Sequence, residues 1–330
     1  MKKENKDLCC NKTSIGGQAL IEGIMMQNPN GTAAISVRTP DGTIDTEEIK
    51  VKHARDKFKF LGWPMVRGVV NYIESMIFGY KCLMISAEKS GLEDMEESEE
   101  NMSKLDKWLN DHINKKVMGV LTAVASVIGV GLAFLLFFYL PTVIVNFINN
   151  LAGESLDNFR ALFEGIIRMA IFVLYIAAVS LMKDIKRTFM YHGAEHKTIF
   201  CYEKGLELTV ENVKKQSRFH PRCGTSFIFV IIIISVIISS ALSIFTDLRD
   251  NTLMWMVAKI MILPLVTGLS YEFIRYAGKH DNALVKILAA PGLWMQRLTT
   301  KEPDDSMIEV ALEAFKAVIP KEQKEDSVDE

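Results

Sequence analysis

The sequence predicts an α-helical integral membrane protein with four transmembrane helices, a small N-terminal antiparallel β unit and peripheral amphipathic helices. Three observations predict it. Val117 through Asn149 contains no charged residue, and Phe227–Phe245 is a second unbroken apolar run built around Ile231-Ile232-Ile233-Ile234. Each exceeds the ~18 apolar residues that mark a transmembrane helix. Residues 161–182 and 253–274 are also apolar, carry charges toward one end, and alternate with the first two, which makes four crossings. Residues 14–60 instead show short strand-like runs separated by Pro29-Asn30-Gly31 and Pro40-Asp41-Gly42 turns.

A chain of 330 residues has room for two or three units. The formal net charge of −2 gives no basic bias toward nucleic acid, and no stretch interleaves arginine with aromatics as such binding requires. The five cysteines, Cys9, Cys10, Cys82, Cys201 and Cys223, are odd in number. All fall on the side expected to be cytoplasmic, where reduced thiols are the rule. The polar, lysine-rich first 14 residues lack the apolar core of a signal peptide.

Lysine and arginine set the orientation. Nine of them lie between Lys183 and Ser226, against one in each of the connections 150–160 and 246–252, Arg160 and Arg249. Positive charge near span ends stays inside. This predicts a multi-pass protein of the cell membrane with both termini and the 183–226 loop cytoplasmic.

In chain order, residues 1–13 read as a disordered tail and 14–62 as the β unit. The latter has one strand-like run from Ile15 to Met26, then strands at Thr32–Arg38 and Thr43–Val51. Gln18 and Glu22 fall in an apolar stretch and are expected to face solvent by strand alternation. Residues 63–116 hold an amphipathic helix over 64–90 and an acidic linker, Glu93–Glu100. The helix repeats Val66, Val69, Val70, Ile73, Ile77, Tyr80 and Met84 at helical spacing, which suits either a helix on the leaflet or one covering the β unit. Ser103-Lys104-Leu105-Asp106 reads as a helix start.

The membrane domain, 117–274, follows, with span one long enough to bend at Pro141. Span two carries Glu164 and Arg168, an i,i+4 pair expected as a local ion pair in its outer portion, and span four carries Lys259. The cytoplasmic C-terminal part, 275–320, has Trp294 and Arg297 as interface anchors. It then has a helix capped by Asp304 or Asp305, with Ile308, Ala311, Leu312, Phe315 and Val318 as its apolar stripe. That stripe is expected to dock on the protein's own polar part. Residues 321–330 read as a disordered tail.

The chemistry concentrates in the 183–226 loop. Tyr191-His192-Gly193-Ala194-Glu195-His196-Lys197-Thr198 falls within a helix predicted over 186–204 that should stop at Gly205. His192 and His196 are then i and i+4 and share a face, with Glu195 and Glu203 turned the same way. Two imidazoles one turn apart, with a carboxylate beside them, can hold a divalent cation and a base for its bound water. The pattern H-x-x-E-H inverts the zinc-protease motif. Downstream in the same loop, His220-Pro221-Arg222-Cys223 places His and Cys three apart, which also suits one metal. The predicted site is therefore His192, His196, His220 and Cys223 as ligands of a divalent metal, with zinc the candidate, and Glu195 as the catalytic base. Glu272, Arg275, His280, Asp281 and Asn282 enter the same zone and could supply a third ligand or its supporting contacts.

Four stretches together carry a family resemblance: Gly16-Gly17-Gln18-Ala19-Leu20-Ile21-Glu22-Gly23-Ile24-Met25-Met26, Tyr191 to Thr198, His220-Pro221-Arg222-Cys223-Gly224-Thr225-Ser226-Phe227, and Pro291-Gly292-Leu293-Trp294-Met295-Gln296-Arg297-Leu298-Thr299-Thr300. The chain resembles the YqhQ-like family of bacterial membrane proteins, a group of unknown function labelled metal-dependent enzymes. The resemblance implies the membrane architecture and a metal, and names no substrate.

Three functional classes fit these residues. The first is a metal-dependent hydrolase at the cytoplasmic membrane face. The second is a non-catalytic scaffold or assembly factor with a structural His/Cys cluster, binding protein partners through the β unit or C-terminal helix. The third is a small transporter using Glu164, Arg168 and Lys259. The lipid bilayer is a partner in all three.

Overall fold

The computed structural model describes residues 13–91, 115–153, 156, 159–221, 223–246, 248, 251–277, 280 and 282–319. The expectations for the first twelve residues, the acidic stretch 93–100, the helix start at Ser103–Asp106, Arg222, Asp281 and the last ten residues lie outside them.

The N-terminal unit is a four-stranded antiparallel meander in the order β1 (Gly16–Leu20), β2 (Gly23–Gln27), β3 (Thr32–Arg38) and β4 (Ile44–Lys50). The single run expected from Ile15 to Met26 is two strands. Gly23 pairs back on Leu20, and the tight turn between them holds Glu22 at φ +48°. Glu22 does not face solvent freely. Its carboxylate is gripped by Arg187, with a second contact at 2.6 Å, and accepts from the Tyr191 hydroxyl at 3.2 Å. Gln18 likewise lies half-buried against a following helix, at Gly79.

That helix, α1 (Val66–Lys89), closes one face of the sheet, where Leu20, Met25, Ala33, Ile35 and Val37 pack with Cys82. The other face is closed by two helices far apart in sequence, α2 (Lys183–Glu203) and, beyond α3 (Ala283–Thr299), α4 (Asp305–Val318). Ile24, Met26 and Ala34 of the sheet share one core with Tyr191, Ala194 and Ile199 of α2 and with Met307, Ile308, Ala311, Phe315 and Val318 of α4. Each fully buried Ile, Met, Phe or Val among them contributes about 1.5–3 kcal/mol. The β unit, the middle loop and the C-terminal helix, separate in sequence, thus form one polar unit around one core. Asp304 caps α4 as expected, accepting from Met307 N–H at 2.9 Å. Helix α3 runs through Pro291 and packs against span three.

Among the described residues, four helices are long and apolar enough to cross a membrane: Val124–Leu151, Arg160–Val179, Phe227–Phe245 and Thr252–Ala277. Span one changes pitch through a π-helical turn, Leu135–Tyr139, just ahead of Pro141. Proline has no N–H, so the Phe137 carbonyl one turn earlier lacks its ordinary donor. Arg168 of span two supplies it at 2.9 Å and also donates to Ser235 of span three at 3.1 Å. The expected Glu164–Arg168 ion pair is replaced by a contact across helices. Glu164 pairs with Lys259 of span four and accepts from Trp255 Nε1 at 3.2 Å, while Lys259 donates to Thr142 of span one at 2.9 Å. Packing decides this: Lys259 turns into the bundle, where Glu164 and Thr142 accept from it.

Candidate functional site

Helix α2 lies along the β1 edge of the sheet and carries the H-x-x-E-H residues on the side facing β1 and the loop before span three. Gly193 is what lets the segment 299–303 pass close over this helix. A Cβ at 193 would collide with the Lys301 carbonyl, and Lys301 N–H donates to Phe189 O at 2.8 Å. This close passage brings the Thr299 carbonyl to His192 Nδ1, at 2.9 Å.

The loop before span three is held from a different direction. Gln296, fully buried on α3, clamps the His220 backbone twice, accepting from its N–H and donating to its carbonyl, each at 2.7 Å. This fixes the path of residues 216–224. His196 Nδ1 then meets the Arg218 carbonyl at 2.6 Å, and Cys223 Sγ comes within 3.3 Å of His192 Nε2.

A carbonyl oxygen only accepts, so each imidazole donates from Nδ1 and keeps the lone pair of Nε2 for a ligand. Outer contacts of this kind are what orient metal-ligating histidines. The ligand atoms of His192, His196 and Cys223 lie within 4.8 Å of one another. Tetrahedral zinc, with bonds of about 2.0–2.3 Å to nitrogen and sulfur, needs ligand separations of roughly 3.3–3.8 Å, so the trio fits with a small contraction.

The remaining predicted residues are placed separately. His220 stays beside the trio, its ring 5.6 Å from that of His196, but its Nε2 faces Glu203 Oε2 at 3.8 Å. Among the described residues, the group brought to one point is His192, His196 and Cys223, without His220. Glu203 also accepts from Thr13 N–H at 2.9 Å. Glu195 is buried and accepts from Gly17 N–H of β1 at 3.1 Å. Burial raises its pKa above the ordinary carboxylate value, opposed by the His192 charge and the Gly17 hydrogen bond. Glu272 is taken by Arg67, His280 stacks on Tyr276, and Asn282 caps α3.

A cleft of about 630 Å³ opens over this arrangement. Residues Thr13 to Ala19 form one wall, His192, Glu195, His196, His220 and Cys223 the other, and Gly224 and Arg275 stand where spans three and four begin and end. Cys201 plays no part in it: burial pushes that thiol up to about 11, leaving it inert. Gln296, Gly17, Thr299 and Arg218 are missed by sequence reasoning. Only Gln296 leaves a trace there, as an amide in an apolar helical stretch.

The family described as "Protein of unknown function (DUF1385)" matches residues 63–321. The chain belongs to this family. It is also 35% identical over 308 residues to the "Uncharacterized protein YqhQ" of Bacillus subtilis (strain 168), covering 92% of each chain. No solved structure matches it. The family match begins after the sheet, whereas similarity to the Bacillus protein extends over almost the whole chain.

Proposed function

We propose that this protein is a metal-dependent hydrolase embedded in the cell membrane, acting at its cytoplasmic face through a divalent cation held by His192, His196 and Cys223. One observation carries the reading: three ligand atoms converge while both histidines have Nδ1 committed to backbone carbonyls, Thr299 and Arg218. Zinc fits the donor set, since it accepts nitrogen and thiolate at these distances. Three protein ligands beside an open cleft favour a catalytic centre over the closed four-ligand shell of a structural site. A bound cation of this kind makes a coordinated water acidic enough to act at neutral pH.

The chain's own residues supply the rest. Glu195 lines the same cleft and is not needed as a ligand, so it is the group to take a proton from the attacking water. Gly17 N–H holds its carboxylate in place. Arg275 at the rim gives the cleft one positive charge for an anionic portion of a substrate. The nine-to-one excess of Lys and Arg in the 183–226 loop over each opposite connection supports a cytoplasmic site and cytoplasmic termini.

The test pairs metal analysis with genetics. The purified protein should contain about one zinc per chain, lost in His192→Ala. Glu195→Gln should keep the metal and the fold yet fail to complement a deletion phenotype. Full complementation by Glu195→Gln would leave a metal-bearing scaffold, and a wild type that takes up no zinc ends the metal proposal altogether.

A further inference from the structure

The amphipathic helix α1 presents a side that no described residue of the polar unit covers. Ile73, Met76, Ile77, Tyr80 and Met84 recur at helical spacing and are 45–66% exposed, and Trp63, just before the helix, is 65% exposed. Phe58 and Phe60, shortly before the helix, are exposed as well. The opposite side of the helix is spoken for: Cys82 lies in the core beneath the sheet, and Ser86 donates to the Ile21 carbonyl.

The start of α1 is fixed to span four at a depth that can be gauged. Gly68 abuts Gly268 so closely that a Cβ at 68 would stand 3.0 Å from Gly268 Cα and 2.7 Å from Tyr271 Cβ. Arg67 forms a two-pronged pair with Glu272 at 2.5 and 2.6 Å, Asn71 donates to the Tyr271 hydroxyl at 2.7 Å, and Tyr72 meets Phe227 at the start of span three. Span four has 26 residues, about 39 Å at 1.5 Å per residue, against a hydrocarbon core of about 30 Å. Gly268 lies nine residues before its end at Ala277, about 13 Å in. Even if the excess length is shared between both ends, the first turn of α1 lies several ångströms inside the hydrocarbon.

We propose that Phe58–Met84 is a fifth membrane-inserted element that does not cross. It dips into the leaflet beside span four at Trp63–Gly68 and then lies along the surface, as a layer between the sheet and the lipid. The occupant of the apolar stripe is the phospholipid leaflet on the side of the polar unit. Continuity with the span-four interface supports this. So does composition, because Lys52, Arg55, Lys57 and Lys59 are exposed next to the aromatics, as anionic headgroups would select. The inserted helix would also set the height of the cleft, since α1 and the cleft wall at β1 belong to the same sheet-centred unit. The inference stands independently of any metal.

A photo-reactive benzoylphenylalanine is placed singly at Trp63, Ile77 or Tyr80 of the full chain, in nanodiscs of phosphatidylethanolamine and phosphatidylglycerol. Leu174, 68% exposed on span two, is the lipid-facing control and Glu313 on α4 the solvent-facing one. Only monodisperse preparations are irradiated, and the three positions substitute for one another if one variant misfolds. The expected result is phospholipid adducts at the three positions in yields comparable to Leu174, with none at Glu313. Cross-linked dimers at Ile77 or Tyr80 would assign the stripe to a second copy. Either that result or a loss of lipid adducts at all three positions, while Leu174 still labels, overturns the proposal.

Discussion

Among the described residues, two clusters of polar side chains are built on opposite plans. Between the spans, Glu164, Lys259, Trp255 and Thr142 satisfy one another: the carboxylate receives the ammonium and the indole N–H, and the ammonium reaches a hydroxyl besides. Both charged groups are only 3% exposed. At the end of the bundle, His192 and His196 are each held by a backbone carbonyl, and Cys223 Sγ approaches His192 Nε2 at 3.3 Å. Their backbone contacts orient the two rings and leave lone pairs aimed at one point beside a cleft. A network of complementary charges holds helices in register, whereas nitrogen and sulfur atoms gathered within 4.8 Å of one another beside a cleft can hold a cation. The intramembrane charges are all engaged within the bundle, Glu164 with Lys259 and Arg168 with the Phe137 carbonyl and Ser235.

The comparison breaks most visibly if the intramembrane pair is not closed. Glu164→Gln leaves an ammonium buried without its counter-charge and should destabilise the protein by about 3–5 kcal/mol. The double variant Glu164→Gln, Lys259→Met should recover most of that loss. Thermal unfolding in detergent measures both, and equal stability of the single and double variants would show that the pair does not act as a unit. Neither variant should alter zinc content.

Next in size is the clamp on the loop before span three. Gln296→Ala removes both contacts to the His220 backbone and should weaken zinc binding by about 10–100-fold, as loss of outer support does at metal sites. Competition with a chromogenic chelator reads this directly; unchanged affinity would mean the loop holds Cys223 without Gln296. Gly193→Ala forces the 299–303 segment off α2 and should cost about 1–3 kcal/mol of stability. It should weaken zinc binding too, because the Thr299 carbonyl moves with that segment. If only stability falls, the His192 orientation does not depend on Thr299.

The smallest effect sharpens the picture of the shared core. Asp304→Ala removes the cap of α4 and should lower stability by about 1 kcal/mol. Because α4 packs against both the sheet and α2, the whole polar unit should melt together, as one transition by circular dichroism. A separate early transition of α4 would show that the three chain segments do not fold as one.

What the sequence determined by itself was whatever local pattern encodes. Hydropathy marks the four spans, glycine and proline mark two of the three turns of the meander, and Asp304 marks the start of α4, because each depends on residues within a few positions of one another. The spacing of His192 and His196 belongs to the same class, since a helix alone puts i and i+4 on one face. Tertiary structure decided the choices between chemically equivalent partners. Cys223 joins the trio while His220 turns to Glu203, because a clamp from Gln296, 76 residues away, sets the loop's path. Glu164 pairs with Lys259 and not with Arg168, because Pro141 on a third helix leaves the carbonyl that Arg168 fills. Glu195 meets Gly17 because a sheet edge 178 positions earlier lies beside its helix. In each case the winner depends on the packing of elements distant in the chain, which periodicity and spacing do not encode.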